Sequence, residues 1–121
     1  LRHVTFRECK LDFALLRFLH GDSVMFVDCI LTGADLSGAT LAGAEFERCD
    51  LVDVDLSYAD LDGVDLRSSR LAPARGVGAL RGAIVDAAQL GTLAPALAAE
   101  IGINVEAGDG AGSPARELRD T

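Results

Sequence analysis

The side chains able to do chemistry in this sequence are three cysteines, two histidines and nineteen carboxylates. Cys9, Cys29 and Cys49 lie 20 residues apart, which matches no metal-ligand spacing. His3 and His20 could serve as base or ligand, yet neither has a Cys or His at ligand spacing. Asp53-Val-Asp55-Leu-Ser57 opens like a calcium loop. Tyr58 stands where that loop needs glycine and Val64 where it needs a bidentate glutamate, so the match fails. Gly76-Val-Gly78-Ala-Leu-Arg-Gly82 loosely matches a dinucleotide loop, but no βαβ unit surrounds it. Neither a phosphate loop ending in GK[ST] nor a nucleophile elbow occurs. No catalytic, cofactor-binding or metal residue is assigned, and the expectation is a protein that is not an enzyme.

The elements that would position these groups follow one period. From Ala34 to Leu66 the chain reads Ala34-Asp-Leu36, Ala39-Thr-Leu41, Ala44-Glu-Phe46, Cys49-Asp-Leu51, Val54-Asp-Leu56, Ala59-Asp-Leu61 and Val64-Asp-Leu66. A small apolar residue recurs every 5 positions, with Leu or Phe two places on. Helices repeat near 3.6 and strands at 2, so neither fits. A period of five suits a chain that turns a corner every five residues and stacks each circuit on the last. The small residue and the Leu or Phe then point inward.

This pattern resembles the pentapeptide repeat proteins, with consensus Ala-Asp/Asn-Leu-x-x, and covers roughly 1–71. The resemblance implies an all-β solenoid, a right-handed quadrilateral β-helix with four repeats per coil. Residues 20 apart should then stack. Phe6, Phe26 and Phe46 obey that spacing, with Leu66 continuing the column, and so do the three cysteines. Matched sizes at the strand spacing of about 4.8 Å fill a narrow interior without voids. All three cysteines hold inward small positions. They read as reduced thiols acting as small core residues, which favours a cytoplasmic location. A disulfide between stacked coils is the strained alternative.

The β-helix is expected over 1–85, with a break near 20–23 and a loop at 72–78. Gly21 falls where a large residue belongs, and Leu19 is placed to fill the gap. A helical cap is expected over 86–102. Asp86 would cap a short helix from Ala87 to Leu90, and a second would run from Thr92 to Ile101 with Pro95 in its first turn. Leu90, Leu93, Leu97 and Ile101 would cover the open end, and Gly102 would stop the helix. Residues 103–121 read as mostly disordered tail by their Gly, Ser, Pro and mixed charge.

Two surfaces stand out in this register. Phe13, Leu15, Phe18, Met25, Val27 and Ile30 all point outward in the first third. Either other parts of the chain cover them, or they form a protein interface, a homodimer among the options. The middle third is acidic: ten acids from Asp28 to Asp65 oppose Arg48 alone. Asp35, Glu45, Asp50, Asp55, Asp60 and Asp65 each precede the central residue of a repeat. They serve either as corner carboxylates bonding backbone N–H groups or as an acidic interaction face.

Composition narrows the function classes. A net charge of −8 and a pI near 4.5 oppose direct binding to nucleic-acid phosphates. No apolar run approaches the ~20 residues of a membrane span, and no small-molecule substrate or cofactor is expected. The chain opens at Leu1 rather than Met, so targeting is left open. The leading expectation is a non-catalytic protein-interaction module with an unidentified partner; a structural piece of a longer protein is a further one. The resemblance also implies an alternative, since some pentapeptide repeat proteins mimic DNA, bind DNA gyrase and confer resistance to quinolone-type topoisomerase poisons. Under four coils would span only about 18 Å, a short mimic.

Overall fold

The computed structural model describes residues 3–20 and 23–107. Its strands are β1 (Val4–Arg7), β2 (Val24–Val27), β3 (Glu45–Glu47), β4 (Asp50–Val52) and β5 (Arg70–Ala72). β1, β2 and β3 form one parallel sheet, and β4 and β5 form another. Every register has the same offset: Phe6 faces Phe26, Phe26 faces Phe46, and Leu51 faces Leu71. Between the strands, single parallel bridges keep it, as in Lys10–Ile30–Asp50, Leu15–Asp35–Asp55–Arg75 and His20–Thr40–Asp60. The chain therefore passes over itself every 20 residues, and each passage is termed a coil below.

The five-residue spacing dictates how each coil bends. Among the described residues, left-handed backbone recurs at 3, 8, 13, 18, 23, 28, 33, 38, 48, 53, 58 and 63. Many of these corners close a hydrogen bond between residues three apart, such as Ala14 N–H to Leu11 O and Ala34 N–H to Leu31 O. Positive φ at the third residue of such a turn is the type II signature, which glycine suits best. Only Gly33, Gly38 and Gly63 supply it within this series; nine non-glycine residues accept the strain. At Gly33 and Gly38 the glycine is also needed for space. The rings of Phe13 and Phe18 lie where a Cβ would go.

The interior is one side chain wide. The rings of Phe6, Phe26 and Phe46 stack with centroids 5.1 and 5.0 Å apart and planes within 12°. Leu31, Leu36, Leu41, Leu51, Leu56, Leu61 and Leu66 fill the other central positions, all buried. The remaining hollow between Leu36, Phe46, Leu56 and Leu66 is about 10 Å³, too small to hold a water with comfort. The cysteines stack as expected and are free. The Cys29 thiol donates to Phe6 O at 3.2 Å and the Cys49 thiol to Phe26 O at 3.3 Å. Burial pushes the Cys49 thiol above its ordinary pKa.

One joint between coils needs repair. The corner after Phe46 is extended, while the corner after Leu66 is tight, with Ser69 N–H bonded to Leu66 O. In earlier coils, Glu8 N–H and Asp28 N–H donate to carbonyls of the next coil. The equivalent Arg48 N–H donates instead to the Ser68 hydroxyl at 3.0 Å, and Cys49 N–H to the Ser69 hydroxyl at 3.1 Å. Two serines thus satisfy donors that the changed corner would orphan.

The upper end differs from expectation in several ways. The stretch expected as a loop over 72–78 is largely ordered: Ala72 ends β5, Arg75 bridges to Asp55, and a 3-10 helix spans Val77–Leu80. The next bridge, Asp65–Ile84, has an offset of 19. One residue has been dropped between Arg75 and Ile84.

The two expected helices are one, α1 (Ala87–Ile101), with Pro95 in its middle. The residue four before Pro95 is Gly91, whose missing side chain leaves the backbone free to adjust to the proline ring. Asp86 caps the helix in a capping box with Gln89, as its position suggests, and Gly102 ends it in left-handed backbone. The Gln89 amide also donates to Leu66 O at 2.7 Å and Ser69 O at 2.8 Å, stitching the helix to carbonyls of the fourth coil. Leu93 is buried against the core and Leu97 half-buried, but Leu90 and Ile101 are mostly exposed rather than covering the end. Gly21 and residues 108–121, named above as break and tail, lie outside the described residues.

Candidate functional site

The acidic candidates do not share one face. The bridges put Asp35 and Asp55 in one column, Asp50 in a second with Ile30, and Asp60 in a third with Thr40. Glu45 pairs with Met25 in a fourth. Asp65 bridges Ile84, and no bridge joins it to Glu45, because the tight corner begins there. Their local chemistry is that of corner carboxylates. Asp35, Asp50, Asp55, Asp60 and Asp65 each accept the backbone N–H two residues on, at 2.9–3.1 Å. Glu45, one methylene longer, makes no such bond.

Arginines blunt part of the charge. Arg67 reaches Asp65 at 2.7 Å and holds its pKa down at about 2. Arg70 pairs with Asp50 at 3.0 Å, and Arg48 forks onto Asp28 at 2.7 and 3.0 Å. Hydrogen bonds from the Ser37 hydroxyl and N–H, aided by Arg17, lower the pKa of Asp35. Three of these arginines come from outside 28–65 (Arg17, Arg67, Arg70), which is why a count within that stretch overstated its charge.

The apolar candidates divide. Phe13, Leu15 and Phe18 are 74%, 80% and 66% exposed, so the described residues do not cover them. Ile30 is 40% exposed and Met25 half-buried. Val27 is a correction: expected outside, it is only 2% exposed. It is the short residue of the middle strand, flanked by Arg7 and Glu47, whose long stems shade it. His20 faces outward in the column of Thr40 and Asp60, as its spacing indicates.

Among the described residues, no group of three His, Cys, Asp or Glu side chains could hold a metal. Nor is any described helix long and apolar enough to cross a membrane.

The family model described as pentapeptide repeats matches residues 29–67, with eight copies. That segment is therefore a run of the pentapeptide repeats that define the family. Such repeats imply a β-helix, and proteins built from them are generally structural or interaction modules. No curated protein matches the chain in sequence. The paired registers run beyond the matched segment in both directions, from Val4 to Ile84.

Sequence reasoning missed the grouping on the Leu15 side. The 20-residue arithmetic that pairs Asp35 with Asp55 also puts Leu15 beneath them in the same column. The same arithmetic aligns Ser68 and Ser69 with Arg48 and Cys49.

Proposed function

We propose that this pentapeptide repeat protein is a non-catalytic protein-interaction module. The observation that carries this reading is the division of labour in each repeat. Inward positions are packed to the point of leaving a hollow of about 10 Å³, so the interior has no room for a ligand and recognition falls to the outer surface. Those columns hold side chains at fixed intervals on a rigid backbone, as a recognition surface requires. Capture on the immobilised chain, followed by quantitative mass spectrometry, tests this. A partner retained by the native chain and lost from Phe13→Ser or Asp55→Asn variants is the expected result. Failure of the native chain to retain any partner would contradict it.

The same proposal includes the shape. A right-handed, four-sided winding over 1–85 fits the registers of the described residues, and α1 with its Gly102 cap fits a helical cap over 86–102 followed by a tail from 103. The free thiols fit a reducing, cytoplasmic setting. The gyrase-binding, DNA-mimicking alternative draws less support. Its acids are spread over four columns, and arginines neutralise several. A gyrase supercoiling assay with and without a quinolone decides it. No effect at micromolar protein removes that alternative.

A further inference from the structure

The stacking brings two groups together that are far apart in sequence: the exposed apolar side chains of the first coil and carboxylates of the second and third. Leu15, Asp35 and Asp55 are consecutive members of one column. The corners on either side continue upward by backbone bonds. Phe13 N–H donates to Thr32 O and Gly33 N–H to Val52 O; Phe18 N–H donates to Ser37 O and Gly38 N–H to Ser57 O. One flank therefore carries Phe13, Leu15 and Phe18 below and Asp53, Asp55 and Tyr58 above. Gly33 and Gly38 lie between them without side chains, and the two phenylalanine rings lean over them.

The charges on this flank are unevenly matched. Arg17 stands 3.8 Å from Asp35 and lies over the Phe18 ring at 5.6 Å. Arg75 ends the column. Neither Asp53 nor Asp55 has a basic side chain within ion-pair distance, although Arg75 follows Asp55 in its column and its charge reaches Asp35. Tyr58 is 95% exposed beside them. Aromatic faces next to unpaired carboxylates suit the long stem and cationic head of Arg or Lys. The apolar row below suits an aliphatic residue of the same ligand.

We propose that this flank binds an extended segment of a partner protein in which basic and aliphatic residues alternate. The proposal rests on the interaction-module reading and names the partner's chemistry. The complementarity is of both kinds: unpaired negative charge above and exposed apolar surface below.

Fluorescence anisotropy with a labelled peptide of alternating arginine and leucine tests it. A glutamate–leucine peptide is the control probe. Asp53→Asn/Asp55→Asn keeps the corner geometry, since asparagine tolerates left-handed backbone and can still accept the Ser57 N–H. It should weaken binding about tenfold, and Phe18→Ser about fivefold. Asp60→Asn/Asp62→Asn makes the same charge change on another column and should weaken binding less than about twofold. Circular dichroism melts check that each variant is folded. Equal losses from both aspartate pairs would mean diffuse attraction and overturn the flank, while leaving an interaction module standing. Absence of binding overturns the proposal. So does a dimer that dissociates on Phe18→Ser, since a second copy would then occupy this surface.

Discussion

The first coil and the second carry nearly the same inward residues, yet they are buried to very different degrees. Phe6, Cys9, Leu11, Ala14 and Leu16 are only partly buried, whereas Phe26, Cys29, Leu31, Ala34 and Leu36 are at most 1% exposed. Residue type is matched column by column, so composition cannot explain the difference. Neighbours do: the second coil is sandwiched, and the described first coil has a partner on one side only. In a stacked fold the worth of a core residue is set by how many coils touch it.

The sharpest way to break this comparison is to truncate the same column at two heights. Phe46→Ala should cost about 3–5 kcal/mol, and Phe6→Ala roughly half of that. Chemical denaturation of both variants measures it. Equal losses would refute the neighbour account, and a nearly neutral Phe46→Ala would refute the inward register altogether.

The joint between the third and fourth coils offers a smaller test. Ser69→Ala removes the hydroxyl that accepts the buried Cys49 N–H and should cost about 1–3 kcal/mol. Ser68→Ala, at an exposed position, should cost less. If the two were equal, burial would not be what makes the serine repair matter.

The thiols sharpen the contrast without changing stability. Cys9 should react with iodoacetamide under native conditions, while Cys29 and Cys49 should react only once the protein is unfolded. Mass spectrometry of a timed labelling reads this directly. Cys49 labelled as fast as Cys9 would show that the middle coils open locally.

The smallest expected effect is electrostatic and lies on the surface. Asp65 is held at about 2, below the usual carboxylate range, chiefly by its hydrogen bond from Arg67. A depressed folded-state pKa stabilises above the unfolded value near 3.8 and is lost as pH falls through about 2. Asp65→Asn should therefore lower Tm slightly at neutral pH, with the difference shrinking as pH falls through about 2 and gone below it. A difference that persists well below pH 2 would show that the Arg67 ion pair is not its source.

Much of this was legible because inward positions obey two periods at once. Phe6, Phe26 and Phe46 announce both the five-residue step and the return after four of them. Where the letters misled, the cause was a neighbour the local pattern does not encode. Val27 reads as outward, and is, but the strands above and below shade it. Pro95 reads as a helix start, but Gly91 and the docking of Leu93 carry the helix through it. The acids read either as corner carboxylates or as an interaction face, and the letters do not decide between the two; successive repeats turn a corner, so their outward groups point along different columns.

The constant offset also governs how such a molecule can grow or shrink. Excising or duplicating a block of 20 residues within 24–66 would let every column meet its own kind again. Removing a single pentad there would rotate all later residues by one corner, so each would stack on the wrong column. The step of 19 before Ile84 is a phase mark of the same sort. It fixes where the lid belongs, so length can vary in whole turns beneath a helix that fits only one angular setting.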